Sequence, residues 1–288
     1  MYDRILFPFD GSDGARAVLD HAADLAAATD ATVQVLYVAD TARDSVTTVG
    51  SEVVDALERE GAGVVAEAET ALERLGVDAE TAVVQGDPAG TIADYAERYA
   101  SDLVVMPSQA REGASRLLLG SVTEKVIRLS PVPVLTVRMR PDERVSFPYR
   151  RVLVPTDGSE PAERAATHAV DLAAVVGAAV EALSVVDDAG LAAEVRSAVG
   201  DGRDEADATA AAERVAALAA ERGVEATTSV AHGSPADAIR SAVEGSDVDL
   251  VVLGATGAST LDRLLLGSVA ERVARSVTVP VITVPDGG

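Results

Sequence analysis

The chain has no cysteine and no tryptophan, only three histidines, and Lys125 as its single lysine. Without thiols neither a disulfide framework nor a thiolate metal centre is available, and three imidazoles leave little for any other structural metal site. Aromatic side chains are 3% of the 288 residues, so the cores must be aliphatic. No apolar run approaches the ~20 residues of a membrane span, and the start, Met1-Tyr-Asp-Arg, lacks the basic and apolar regions of a secretory leader. A soluble, cytoplasmic protein is expected.

Positive charge is scarce as well. There are 24 basic residues against 47 acidic ones, a formal charge of −23. A phosphate backbone would meet net repulsion, and no basic cluster interleaved with aromatics offsets it, so nucleic acid is not an expected partner. Such an excess repels itself in a compact state at low ionic strength, whereas at about 1 M salt the Debye length is only ~3 Å. Together with the near-absence of lysine, this points to a halophilic, archaeal host; an ordinary acidic cytosolic protein is the plainer alternative.

What is present is one unit written twice. Ile5-Leu-Phe-Pro-Phe-Asp10-Gly-Ser returns as Val152-Leu-Val-Pro-Thr-Asp157-Gly-Ser, an offset of 147 that also joins Tyr2 to Tyr149, His21 to His168, Gly86 to Gly233, Asp102 to Asp249 and Gly120-Ser121 to Gly267-Ser268. The copies are read as 1–138 and 149–288, joined by a polar, proline-containing connector at 139–148, and the length suffices for two domains.

In the first copy strands are expected at Arg4–Phe9, Thr32–Ala39, Ala79–Gln85, Leu103–Met106 and Pro133–Arg138. Helices are expected at Asp13–Thr29, about Gly50–Leu75, Pro88 to about Tyr99 and Leu117–Leu129. Strands alternating with helices imply right-handed βαβ crossovers and a doubly wound α/β fold, a Rossmann-like parallel sheet covered on both faces. With strand order 3-2-1-4-5, ligands bind beyond the carboxyl ends of strands one and four, which brings Asp157 beside Gly254. An intramolecular pseudo-dimer of the two copies is expected.

The most informative stretch follows the apolar run Asp249–Leu253: Gly254-Ala-Thr-Gly257-Ala-Ser-Thr-Leu-Asp-Arg263-Leu-Leu-Leu-Gly267-Ser268. Glycines let a backbone take positive φ or let a phosphate approach closely, and Gly267-Ser268 falls where a helix begins, with unpaired N–H groups and a favourable dipole. The spacing G-x2-G-x9-G-S is neither a P-loop nor the dinucleotide fingerprint. The plainer alternative is a turn, with Ser268 as a helix cap.

This motif, directly after a buried strand, resembles the nucleotide motif of the universal stress protein family. The strand-one signature Val154-Pro155-Thr156-Asp157-Gly-Ser and the strand-two end Leu183-Ser-Val185-Val-Asp187 are similar to the family's too. The resemblance covers both copies and implies binding of ATP, or of AMP or ADP, in the second. Carried over, Asp157, delivered by Pro155 and Thr156, lies near the ribose, and the backbone of Val185 meets the adenine edge. Gly254, Gly257, Gly267, Ser268 and the Val269 N–H hold the phosphates. Mg²⁺ could bridge those phosphates with one carboxylate and waters. Arg263 either pairs with phosphate oxygens or is an exposed arginine beside Asp262. Asp157 has a second available role, as the acceptor of an Asx turn.

The first copy departs from the pattern. Pro107 and Ala110 stand at the positions of Gly254 and Gly257, while Gly120 and Ser121 are kept. Proline fixes φ and removes an N–H, so that loop is expected to be degenerate, and Asp10, Val38, Gly120 and Ser121 are the weaker site residues.

No catalytic set is evident. His21 and His168 sit among alanines at equivalent helix positions and read as packing residues, while His232 precedes a Gly-Ser-Pro turn and is matched by Gln85. The serines have no patterned His and Asp partners. A regulatory adenine-nucleotide binder with one competent site, and with unidentified protein partners or a homodimer, is therefore expected; an interaction module without nucleotide and a slow ATPase are the alternatives.

Overall fold

The computed structural model describes residues 1–40, 51–108, 119–138, 145–187, 203–256 and 266–286. These fall into two compact units, Met1–Phe147 and Pro148–Asp286.

The first unit runs β1 (Arg4–Pro8), α1 (Asp13–Thr29), β2 (Thr32–Ala39), α2 (Ser51–Leu75), β3 (Ala79–Gln85), α3 (Pro88–Arg98), β4 (Leu103–Pro107), α4 (Ser121–Leu129) and β5 (Val134–Val137). Its strands pair in parallel in the order β3-β2-β1-β4-β5. β1, β4 and β5 are nearly continuous apolar runs because both of their faces are covered. Where α1 meets the sheet it presents Ala15, Ala22, Ala23 and Ala26 with Val18 and Leu25, and small side chains let the helix approach closely. Ser12 caps α1 by accepting from the Ala15 N–H at 3.2 Å, and Asp87 caps α3 from Gly90 with Pro88 in the first turn.

The second unit repeats this as β6 (Arg151–Thr156), α5 (Glu160–Val176), β7 (Ala179–Val186), α6 (Arg203–Glu221), β8 (Ala226–His232), α7 (Pro235–Gly245), β9 (Leu250–Gly254), α8 (Ser268–Ser276) and β10 (Val281–Val284). Its parallel order is β8-β7-β6-β9-β10. Leu153, Leu183, Val251 and Leu253 of the sheet pack with Ile239 and Val243 of α7 and with Ala270 and Val273 of α8. The α/β class and the strand order expected from the repeat are both present.

Several strand ends shift by one residue, and one boundary differs by more. The last helix of the first copy was expected from Leu117 and starts at Ser121, because Gly120 takes an extended conformation (φ −61°, ψ 140°) and serves as the cap. Residues 109–118 lie outside the described residues.

Two carboxylates fasten the opposite end of each sheet. Asp102 accepts from the Asp3 and Arg4 N–H groups (2.8 and 2.9 Å), and Asp249 accepts from those of Arg150 and Arg151 (2.7 and 3.1 Å). Each ties the loop before strand four to the start of strand one, so the neighbouring strands end in register where the site residues emerge.

Candidate nucleotide site

β6 lies between β7 and β9, so Val185, Asp157 and Gly254 leave the same carboxyl-terminal edge, across two strand spacings or ~10 Å. Pro155 is half-buried near the end of β6, and Thr156 is buried, its hydroxyl accepting from the Gly158 N–H at 3.1 Å. Asp157 is exposed; its Oδ1 accepts from the Ser159 N–H at 3.0 Å and from the Ser159 hydroxyl at 2.5 Å. This is an Asx turn, and Gly158 at φ +73° supplies the left-handed residue it needs. Asp10 does the same for Ser12 at 3.0 Å in the first copy, with Gly11 at φ +69°.

Of the two roles open to the motif glycines, positive φ is not the one that Gly254 and Gly267 fill. Gly254 ends β9 in extended conformation and Gly267 sits at φ −60°, so neither takes a left-handed backbone. Their bareness serves close packing. A Cβ at Gly254 would lie 3.0 Å from the Pro161 carbonyl oxygen in the first turn of α5, and one at Gly267 would lie 3.2 Å from the Ala255 oxygen. The Ala255 N–H donates to Val284 O at 2.7 Å and the Gly267 N–H to Ala255 O at 2.8 Å, which brings both ends of the motif together.

At the N-terminus of α8, Gly267 is the cap and makes no side-chain capping hydrogen bond to the first amides. Ser268 is exposed and Val269 half-buried there, so the open N–H groups and the helix dipole form an anion-favouring end beside Gly254. Gly257 and Arg263 lie outside the described residues.

The first copy closes its stretch in the same way, with Ser108 N to Val137 O at 2.9 Å and Gly120 N to Ser108 O at 2.7 Å, and the glycine cap of α4 likewise makes no side-chain capping hydrogen bond. Pro107 fits because the backbone there is extended. The backbone closure at the base forms in both copies, and the loop expected to be degenerate, at 109–118, lies outside the described residues. What differs is bulk. Proline stands at the strand end in one copy and in the helix first turn, as Pro161, in the other, where the first copy has Gly14. The Thr123 hydroxyl also donates to Pro107 O at 3.0 Å, a tie that Ala270 cannot make in the second copy. Val38, near the end of β2, and Ser121, opening α4, occupy the matching positions.

His21 and His168 lie within helices α1 and α5 rather than on this edge. His21 is buried in α1 with its ring edge-on to Phe147, centroids 6.0 Å apart, and burial pushes its imidazole down to about 4. Burial does the same to His168, also to about 4, against the opposing pull of Asp171. His232 is the last residue of β8, exposed on the same carboxyl-terminal edge and in register with Val186. Among the described residues no group of three His, Asp or Glu side chains could hold a metal ion, and no helix is long and apolar enough to cross a membrane.

Sequence reasoning missed one contact at the motif itself. The Thr256 hydroxyl donates to Asp286 at 2.6 Å, and Asp286 also pairs with Arg164 at 3.2 Å. Partners 30 and 122 residues apart leave no local signal.

Comparison with known proteins agrees with this geometry. The model of the universal stress protein family matches residues 1–138 and again 148–285. Universal stress protein MJ0531 of Methanocaldococcus jannaschii is 38% identical over 139 residues, covering 47% of this chain and 82% of that one. Universal stress protein Rv2005c of Mycobacterium tuberculosis is 32% identical over 234 residues, covering 78% and 77%. The crystal structure of a universal stress protein from Archaeoglobus fulgidus superposes with a TM-score of 0.74 at 25% identity, covering 99% of this chain and 97% of that one. With one family match on each copy of the repeat, the chain belongs to the universal stress protein family, as a tandem of two of its domains.

Proposed function

We propose that the second copy binds an adenine nucleotide and that its occupancy is the protein's regulatory signal. The observation that carries this is the open N-terminus of α8, capped by a glycine and drawn against the end of β9 on the edge where Asp157 and Val185 also emerge. Phosphates suit the amides of Ser268 and Val269, the Asp157 carboxylate suits ribose hydroxyls, and the Val185 backbone suits the adenine edge, the roles these positions have in nucleotide-binding members of the family. Gly257 and Arg263 belong to the same reading. ATP is the first choice and AMP or ADP the others. Mg²⁺ bound with the phosphates would offset their charge in so acidic a protein.

The first copy keeps Asp10, Val38, Gly120 and Ser121 but fills the edge with Pro107, which supports one competent site per chain. The duplication supports domains 1–138 and 149–288 on a 139–148 connector, with the chain as its own pseudo-dimer and the first domain retained for packing or for a protein partner. Calorimetric titration of ATP with Mg²⁺ into the full chain in molar KCl tests the reading. Binding near one per chain is expected; no binding to folded protein would leave an interaction module, its glycines serving as architecture.

A further inference from the structure

The glycine motif of the second copy is held by side chains from outside it. Thr256, between Gly254 and Gly257, donates its hydroxyl to Asp286 at 2.6 Å, just after β10. Asp286 in turn accepts from Arg164 of α5 at 3.2 Å, and Arg164 is held on its other side by Glu160 at 2.7 Å. Asp286 is only 17% exposed and Arg164 32%, so this pair is screened less than a surface one. The Arg164 Nε–H is buried with no hydrogen-bond partner among the described residues, a cost that the rest of the arrangement has to offset.

The distribution of this tie is informative. At the first-copy positions of Thr256, Asp286 and Arg164 stand Gln109, Met139 and Ala17, none of which reproduces the chain of carboxylate, hydroxyl and guanidinium. The residue types that make the tie stand together in the copy with the intact motif and not at the matching positions of the other. The backbone bonds that close the base are common to both, so the base does not need the tie in order to form.

We infer that Asp286 is a positioning residue for the nucleotide site: with Arg164 it fixes Thr256, and through it the spacing between the end of β9 and the N-terminus of α8. A base already held in the binding geometry spares the cost of fixing it when phosphates arrive, and that saving appears as affinity. The inference rests on the nucleotide reading above and goes beyond it by naming residues outside the motif.

Its sign separates it from plain electrostatics. Removing a carboxylate near bound phosphates should tighten binding by lowering repulsion, whereas loss of a positioning contact should weaken it. The test is titration of ATP with Mg²⁺ into the full chain, as wild type, Asp286→Ala, Thr256→Val and Thr256→Ser, with the unfolding midpoint of each measured without nucleotide. Expected are a roughly tenfold weaker Kd for Asp286→Ala and Thr256→Val, near-wild-type binding for Thr256→Ser, and similar midpoints throughout. Measurable wild-type binding with Asp286→Ala equal or tighter would overturn the positioning role alone. Absence of wild-type binding would overturn the nucleotide reading itself.

Discussion

His21 and Asp157 show how much a single residue's surroundings decide. Both stood out in the sequence, and His21 was legible as a packing residue because alanines flank it. Its burial has a pH consequence: a folded-state pKa near 4 against an ordinary 6.5 means that the unfolded chain binds the extra proton first. The His21 contribution is therefore intact above about pH 6.5 and is lost as pH falls toward 4, at a cost of up to ~3 kcal/mol. Unfolding of wild type and His21→Leu at pH 7.5 and 4.5 should show a smaller acid loss in the variant; equal losses would contradict it. Asp157 was legible as a site residue and as a turn residue, and the turn is what the structure displays. Gly254 was legible by spacing, but its closeness to Pro161 was not, since sequence cannot separate a glycine needed for φ from one needed for close approach.

Elements were the most legible scale, since helical and strand periodicities are local. α1, β2 and β3 fall on their expected bounds, and α4 does not, because an apolar run before a glycine looks helical until the glycine caps it. Contacts between elements were not legible. Arg16 of α1 pairs with Glu67 of α2 through Nε at 2.5 Å and through its Nη2 at 3.1 Å, and in the second copy Glu163 of α5 pairs with Arg214 of α6 at 3.5 Å. The offset of 147 maps Arg16 onto Glu163 and Glu67 onto Arg214, so the same bridge is kept with its charges exchanged. Reversing one end, as in Glu67→Arg, should lower the unfolding midpoint at low salt, and adding Arg16→Glu should recover it. A double variant no better than the single would show that each arginine acts through its stem alone.

For the whole molecule the repeat was the decisive signal, because one offset marked two copies of a single unit, and a family match falls on each. The charge of −23 belongs to this scale, as it acts through the summed field rather than through any pair. If the chain is adapted to a salt-rich interior, its unfolding midpoint rises from dilute buffer to molar KCl; a steady fall would contradict that. Which copy is competent depends on a balance at the scale of one site, so the most direct measurement compares two charge additions in the whole chain. A carboxylate at the first position of a helix suits the dipole and preserves folding, yet repels a phosphate from the same amides. Titration of ATP with Mg²⁺ into wild type, Ser268→Asp and Ser121→Asp should give one site per chain, lost in Ser268→Asp and unchanged in Ser121→Asp. Two sites in wild type, or loss in Ser121→Asp with Ser268→Asp unaffected, would contradict a single competent site in the second copy.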